Sequence, residues 1–270
     1  MTQGDSLTPT EQLLCLEGHR ALITGAASGI GKAMALRFAD AGAECILLDI
    51  DESALDGVAQ ELRAKGSAVS TVKLDLTDKK QIGTFWAGLD GGSLPDILIN
   101  NAGVYALKDY LEIDETFLDS TMSINLGSVF WMCQGFIGRR MQEGGIMVNV
   151  STIEAILPFK KDLVAYGTSK AAVIGLTRAL ARDYGHHGFR INVILPGAIK
   201  TPGTKRLMKL AIQKVRLDLI KTGYDFQSRL ALSRWGKPDE VARVALFLSS
   251  DLASYVQGAV IPVDGGFLCS

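Results

Sequence analysis

Tyr166 and Lys170 stand four residues apart in Tyr166-Gly167-Thr168-Ser169-Lys170. They open a stretch, Ala165 to Leu180, whose Ala, Leu, Val and Ile recur at helical spacing ahead of Gly185. Residues four apart lie on one helix face, so a phenol and an ammonium can look into the same cleft. A phenol ordinarily releases its proton near pH ~10, and a neighbouring cation favours the phenolate. That pairing makes Tyr166 a candidate general acid/base. An ordinary amphipathic helix with a surface Tyr and Lys fits the same five residues, so the elements around them decide the matter.

Those elements alternate strand and helix. Arg20 to Ile23 reads as a strand that runs into Thr24-Gly25-Ala26-Ala27-Ser28-Gly29-Ile30-Gly31, and Ile30 to Ala41 turns helical. A glycine-rich turn at such a junction lets backbone N–H groups at the positive helix end approach a pyrophosphate. Glu44 to Leu48 forms a second strand ending in Asp49, an acidic residue ~20 positions past the glycine turn, where it accepts two adenosine ribose hydroxyls and repels a 2′-phosphate. No Arg or Lys occupies the turn or the positions just after Asp49. The cofactor expected is therefore NAD rather than NADP.

Helix (Ser53 to Lys65), strand (Ala68 to Leu74), helix (Lys79 to Leu89) and strand (Asp96 to Ile99) follow. This order calls for α/β architecture, a Rossmann-like, doubly wound parallel sheet with helices on both faces and right-handed crossovers. Asp75 and Asn100-Asn101-Ala102-Gly103 then fall on the cofactor edge. A long helix from Thr116 to Met141 carries Asn125. Strand Ile146 to Val150 delivers Ser151 and Thr152, and strand Arg190 to Leu195 delivers Pro196-Gly197. Helix Glu240 to Leu248 and strand Ala259 to Val263 close the pattern.

Composition is consistent with this. The chain has 270 residues, 47% hydrophobic, with a formal net charge of −1, a balance that asks for neither nucleic acid nor an acidic membrane surface. Cys15, Cys45, Cys133 and Cys269 lack ligand or disulfide spacing, so no metal is expected and a reduced cytoplasm is the default. No apolar run is long enough to span a bilayer, and Met1 to Thr10 does not read as a signal peptide. Residues 1–17 read as an extension that packs Leu13, Leu14 and Leu16 on a single domain, 18–270.

From Arg20 to Phe267 the chain resembles the short-chain dehydrogenase/reductase family. The resemblance rests on the glycine turn, Asn100-Asn101-Ala102-Gly103, Asn125, Ser151, Tyr166-Gly167-Thr168-Ser169-Lys170, Pro196-Gly197 and Asp264-Gly265-Gly266, in that order. It implies that Tyr166 is the acid/base and that Lys170 holds the nicotinamide ribose and lowers the Tyr pKa. It implies further that a serine-type hydroxyl polarises the substrate carbonyl and that Asn125 keeps a water in a proton relay. Cofactor contacts are expected from Gly25, Ser28, Gly29, Ile30, Gly31, Asp49, Ile50, Asp75, Leu76, Asn101, Ala102, Gly103, Tyr166, Lys170, Pro196, Gly197, Ile199 and Thr201. The sequence departs from the family at one point: Thr152 stands where a second serine is usual. Thr has the same donor and acceptor inventory, though its β-methyl stiffens the side chain, so Thr152 is favoured for the hydroxyl with Ser151 as the alternative.

The activity expected is hydride transfer between a secondary alcohol or its ketone and NAD, with oxidation the working direction. Glu154-Ala155-Ile156-Leu157-Pro158-Phe159 and Pro196-Gly197-Ala198-Ile199-Lys200-Thr201-Pro202 look like loops of sugar dehydrogenases, which suggests a sugar, polyol or cyclic alcohol. A 3-hydroxyacid or 3-oxoacyl thioester, or a non-catalytic NAD-binding sensor, are the alternatives. Apolar residues on more than one face of the helix bearing Phe130, Trp131, Met132, Phe136 and Ile137 predict a homo-oligomer, a tetramer. Residues 197–234 are expected to form a substrate lid. In it Lys200, Lys205, Arg206, Lys209, Lys214, Arg216, Lys221 and Arg229 alternate with Leu207, Leu210, Ile212, Val215, Leu219 and Ile220. These cations either form a solvated face or meet an anionic group on the substrate while Glu154 takes a hydroxyl.

Overall fold

The computed structural model describes residues 8–206 and 227–270. Its strands are β1 (Arg20–Thr24), β2 (Glu44–Asp49), β3 (Val69–Lys73), β4 (Ile97–Asn100), β5 (Gly145–Val150), β6 (Phe189–Pro196) and β7 (Val260–Val263). Every neighbouring pair is parallel, in the order β3-β2-β1-β4-β5-β6-β7. The inner strands are short apolar runs rather than alternating ones, because a parallel sheet is covered on both faces, whereas the edge strand β3 carries Ser70, Thr71 and Lys73 and buries none of its residues. Leu22 packs into one apolar cluster with Trp86, Phe136 and Val173. Its neighbours Ala21 and Ile23 point the other way, into a cluster with Met34, Phe38 and Val241.

The helices are α1 (Thr10–Leu14), α2 (Gly29–Asp40), α3 (Glu52–Arg63), α4 (Lys79–Gly88), α5 (Glu115–Met122), α6 (Ser128–Arg140), α7 (Val164–Tyr184) and α8 (Pro238–Ser249). Buried residues of α2, α3 and α8 cover one face of the sheet, and those of α4, α6 and α7 cover the other. The doubly wound sheet expected from the sequence is the fold observed. The order in which strands are added reverses between β1 and β4, and the crevice at a doubly wound sheet's carboxyl edge lies at such a switch point.

Three regions differ from the sequence reading or bound it. The long helix expected over 116–141 is continuous from Glu115 to Arg140 but contains a π-helical turn, Ser123–Gly127, between α5 and α6. Inside the extension, Leu16 is buried and its N–H donates to Ala41 O, while α1 exposes most of its surface. Within the expected lid, residues 207–226 lie outside the described residues, as do Leu207 to Ile220 and the cations Lys209, Lys214, Arg216 and Lys221. The lid's described ends are anchored: Ile199 bridges Gly236 in parallel, residues 202–206 are helical, and Leu230 is buried.

Candidate active site

The glycine turn between β1 and α2 is built so that only glycine fits. Gly25 and Gly29 have φ of +66° and +57°, in the left-handed region, and a Cβ at Gly31 would stand 2.0 Å from Gly25 O. Ser28 begins α2 with extended backbone and no side-chain cap, which leaves the first N–H groups of the helix facing the crevice. Asp49, at the end of β2, is drawn to this turn: its Oδ2 accepts the Ala27 N–H at 3.0 Å and its Oδ1 the Asp51 N–H at 3.1 Å. Ile50 beside it is 61% exposed. Across the turn, the Thr201 side chain would lie 3.5 Å from a Cβ at Gly29.

Thr24, which sequence reasoning did not single out for a role, ties this turn to the segment after β4. Its buried hydroxyl accepts the N–H groups of Asn101 (3.0 Å) and Ala102 (3.1 Å) and donates to Ile99 O, while Asn101 Nδ2 reaches back to Thr24 O. A hydroxyl at the end of a buried strand was the available signal. Asp75 is turned onto its own loop, accepting from the Thr77 N–H and hydroxyl; Leu76 is buried, and Pro196-Gly197 packs against the chain beyond β7. A dinucleotide fits these residues: donors with no side-chain partner at the α2 terminus, a backbone cradle that any Cβ would fill, and a carboxylate at the end of β2.

The chemistry-bearing side chains meet at the carboxyl ends of β4 and β5. The Thr152 hydroxyl accepts the Glu154 N–H at 3.3 Å and lies near enough to the Tyr166 phenol to favour its phenolate. Ser151 points elsewhere: its Oγ is buried and donates to Lys170 O at 2.8 Å, back into α7. Lys170 is buried, and its Nζ donates to Val150 O at 3.0 Å. Gly103 closes over it, since a Cβ there would meet Asn125 Oδ1 at 2.9 Å and Lys170 Nζ at 3.1 Å. Asn125 lies in the π-turn with 0% exposure. Its side chain clamps Val104, accepting the N–H at 2.9 Å and donating to the carbonyl at 3.1 Å, and its Nδ2 also reaches Ser169 Oγ. Both N–H groups of the Asn125 amide are thus taken by protein acceptors, while Oδ1 keeps a second lone pair beyond the Val104 N–H.

Burial dominates the electrostatics. From the protein's own groups alone, Tyr166 is pushed up to about 12; desolvation outweighs the Thr152 hydroxyl, which favours the phenolate, and the Glu154 charge adds to the rise. Lys170 is pushed down to about 8 by the same desolvation. In the protein without its cofactor, burial sets the direction of both shifts. Two further groups were missed or under-weighted: Tyr105, whose ring packs edge to face on Tyr166 at 4.8 Å, and Glu154, a carboxyl with 3% exposure. Among the described residues no cluster of His, Cys, Asp and Glu could hold a metal, and no helix is long and apolar enough to cross a membrane.

Comparison with known proteins places this geometry. A family model described as enoyl-(acyl carrier protein) reductase matches residues 25–268. The chain is 38% identical to a 3-oxoacyl-acyl-carrier-protein reductase, FabG, of Thermotoga maritima, over 94% of this chain and 99% of that one. It is 37% identical to an L-tagatose-forming galactitol 2-dehydrogenase of Cereibacter sphaeroides, over 93% and 96%. Among solved structures it superposes on a Beutenbergia cavernae protein provisionally described as an NAD(P)-dependent gluconate 5-dehydrogenase, with NADP bound at low occupancy. There the TM-score is 0.87 and the identity 31%, over 96% of this chain and all of that one.

Proposed function

The chain belongs to the short-chain dehydrogenase/reductase family, a family of oxidoreductases that bind a nicotinamide cofactor, and from that premise we propose that it is an NAD-dependent dehydrogenase of secondary alcohols. The observation that carries the proposal is the Thr152 hydroxyl beside the Tyr166 phenol, one helical turn from the buried Lys170. It puts an acid/base and a polarising hydroxyl on the same substrate oxygen.

In oxidation, Tyr166 as phenolate takes the alcohol proton, and the Thr152 hydroxyl donates to the substrate oxygen as charge moves onto it. The bound nicotinamide supplies the hydride acceptor. Lys170, held by Val150 O under Gly103, keeps a positive charge behind the phenol at neutral pH, since its own pKa stays near 8. Asn125 fixes the Val104 backbone that walls the cleft, and Ser151 fixes the first turns of α7. The α2 terminus with Gly25, Gly29 and Gly31 would hold the pyrophosphate, and Asp49 the adenosine ribose. The Asp49 carboxylate, already tied to the turn by Ala27, disfavours a 2′-phosphate and supports NAD over NADP.

The test is reduced-cofactor formation with both NAD and NADP across sugars, polyols, 3-hydroxyacids and cyclic alcohols. Wild type is expected to prefer NAD, and Asp49→Ala to narrow the gap. Tyr166→Phe should lose at least ~100-fold in kcat with NAD binding nearly intact. A Tyr166→Phe enzyme retaining more than about a tenth of the wild-type rate removes the acid/base assignment.

A further inference from the structure

Glu154 sits in the 3-10 turn Ile153–Ala155, two residues past Thr152, and is almost fully buried. Carboxylates are seldom found there without a partner for each oxygen. Its Oε1 accepts the N–H groups of Phe159 at 3.3 Å and Lys160 at 3.4 Å, which holds the loop leading into α7. Its Oε2 is buried and has no hydrogen-bond partner among the described residues. The side chain stands beside the first turn of α7, because a Cβ at Gly167 would lie 3.8 Å from Glu154 Cγ. From there its charge acts on the phenols of both Tyr105 and Tyr166. The surface around that pair is apolar yet open: Val104, Tyr105, Ile156 and Val164 are each between 37% and 53% exposed. Exposed apolar side chains around a convergent polar group have the composition of a small-molecule cleft.

We propose that Glu154 is a specificity-determining residue, whose unpartnered carboxyl oxygen binds a second hydroxyl of the substrate close to the reacting carbon and so selects neutral polyols over monohydric alcohols and over substrates anionic at that position. This rests on the dehydrogenase reading and names its substrate class. Burial raises the carboxyl's pKa, and the Phe159 and Lys160 N–H groups with the Lys160 charge oppose that rise. Either form suits a hydroxyl, the carboxylate as acceptor and the acid as donor, whereas a substrate carboxylate meets repulsion or a single shared proton. Tyr105 lies on the loop pinned by the Lys108 N–H to Asp162 O, with its ring 4.8 Å from that of Tyr166.

The probe is the best alcohol from the substrate panel together with its analogue lacking the neighbouring hydroxyl, butane-2,3-diol and butan-2-ol being the simplest such pair. Wild type is expected to favour the diol by at least about tenfold in kcat/KM, since a site built to bond a hydroxyl rejects the analogue without it. Glu154→Ala should bring that ratio to within about twofold, mainly through KM for the diol; the lost charge beside Tyr166 acts on both alcohols alike and cancels in the ratio. Glu154→Gln keeps an acceptor for the Phe159 and Lys160 N–H groups and an amide N–H for the hydroxyl, so it should hold the ratio within about threefold; should the Ala variant fail to fold by thermal melting, a fall of at least about threefold in Glu154→Met decides the matter. An unchanged ratio in the folded Ala or Met variant, or a best wild-type substrate with no neighbouring hydroxyl, overturns the proposal while leaving the dehydrogenase intact. Turnover of no alcohol in the panel overturns the dehydrogenase reading, and this assignment with it.

Discussion

At the scale of single residues, two hydroxyls stand next to each other in sequence and do different things. Ser151 bonds the backbone of α7, and Thr152 lies beside the Tyr166 phenol and accepts the Glu154 N–H. Thr152→Ala is therefore expected to lower kcat by about 100-fold, and Thr152→Ser to keep most of it. Ser151→Ala should chiefly lower the melting temperature, by about 1 kcal/mol of stability for one lost hydrogen bond. Steady-state kinetics paired with thermal melting separates the two. The residue types and spacing of Tyr166, Lys170, Asn125 and Asp49 were legible in the sequence. Which of two adjacent hydroxyls faces the phenol was not, because it depends on how the chain leaves β5. Nor was the protonation of the pair, since desolvation is a property of the packed molecule. Lys170 shows this in its pH dependence. Burial lowers its folded pKa from 10.5 to about 8, so the unfolded chain binds more protons between those values and stability rises with pH across that window. Relative to Lys170→Met, wild type should gain up to roughly 3 kcal/mol of unfolding free energy between pH 8 and 10.5, as read by denaturant titration at each pH.

At the scale of elements, the inner strands were readable to within a residue or two because they are bounded apolar runs, and the helices because their apolar residues recur at helical spacing. At two helix starts a cap agrees: Asp51 and Asp78 accept the first N–H groups of α3 and α4. The π-turn at Ser123–Gly127 was not readable, since one extra residue in a turn barely disturbs helical apolar spacing. Its effect is local but functional: it lies where Asn125 reaches Val104 and Ser169. Two glycines of α6 give a paired test of packing against helix propensity. A Cβ at Gly135 would stand 2.2 Å from Trp86 Cδ1, in the contact of α4 with α6, while a Cβ at Gly138 meets nothing within 4 Å. Gly138→Ala is expected to stabilise by about 0.5–1 kcal/mol, and Gly135→Ala to destabilise by about 1–3 kcal/mol, as read by thermal melting.

At the scale of the whole molecule, the apolar residues that suggested an oligomer divide. Met132, Phe136 and Ile137 of α6 are spent on the core, whereas Phe130 and Leu118, each 42% exposed, remain on the outer face of the α5–α6 pair, with Val164 open on α7. A homotetramer burying that face is expected in light scattering at micromolar concentration, and Phe130→Glu should shift the mass downward. The strand order has a further consequence, for the time course of folding. β1 and β2 are joined by a short crossover, but the other side of β1 is completed only by β4, so the Thr24 hydroxyl waits more than seventy residues for the Asn101 N–H. Until residue 97 has been made, the backbone of Ala21, Leu22 and Ile23 is a bare apolar edge. Nascent chains stalled before that point have a template for pairing with one another, and the glycine turn cannot reach its final shape until a late, long-range contact closes it.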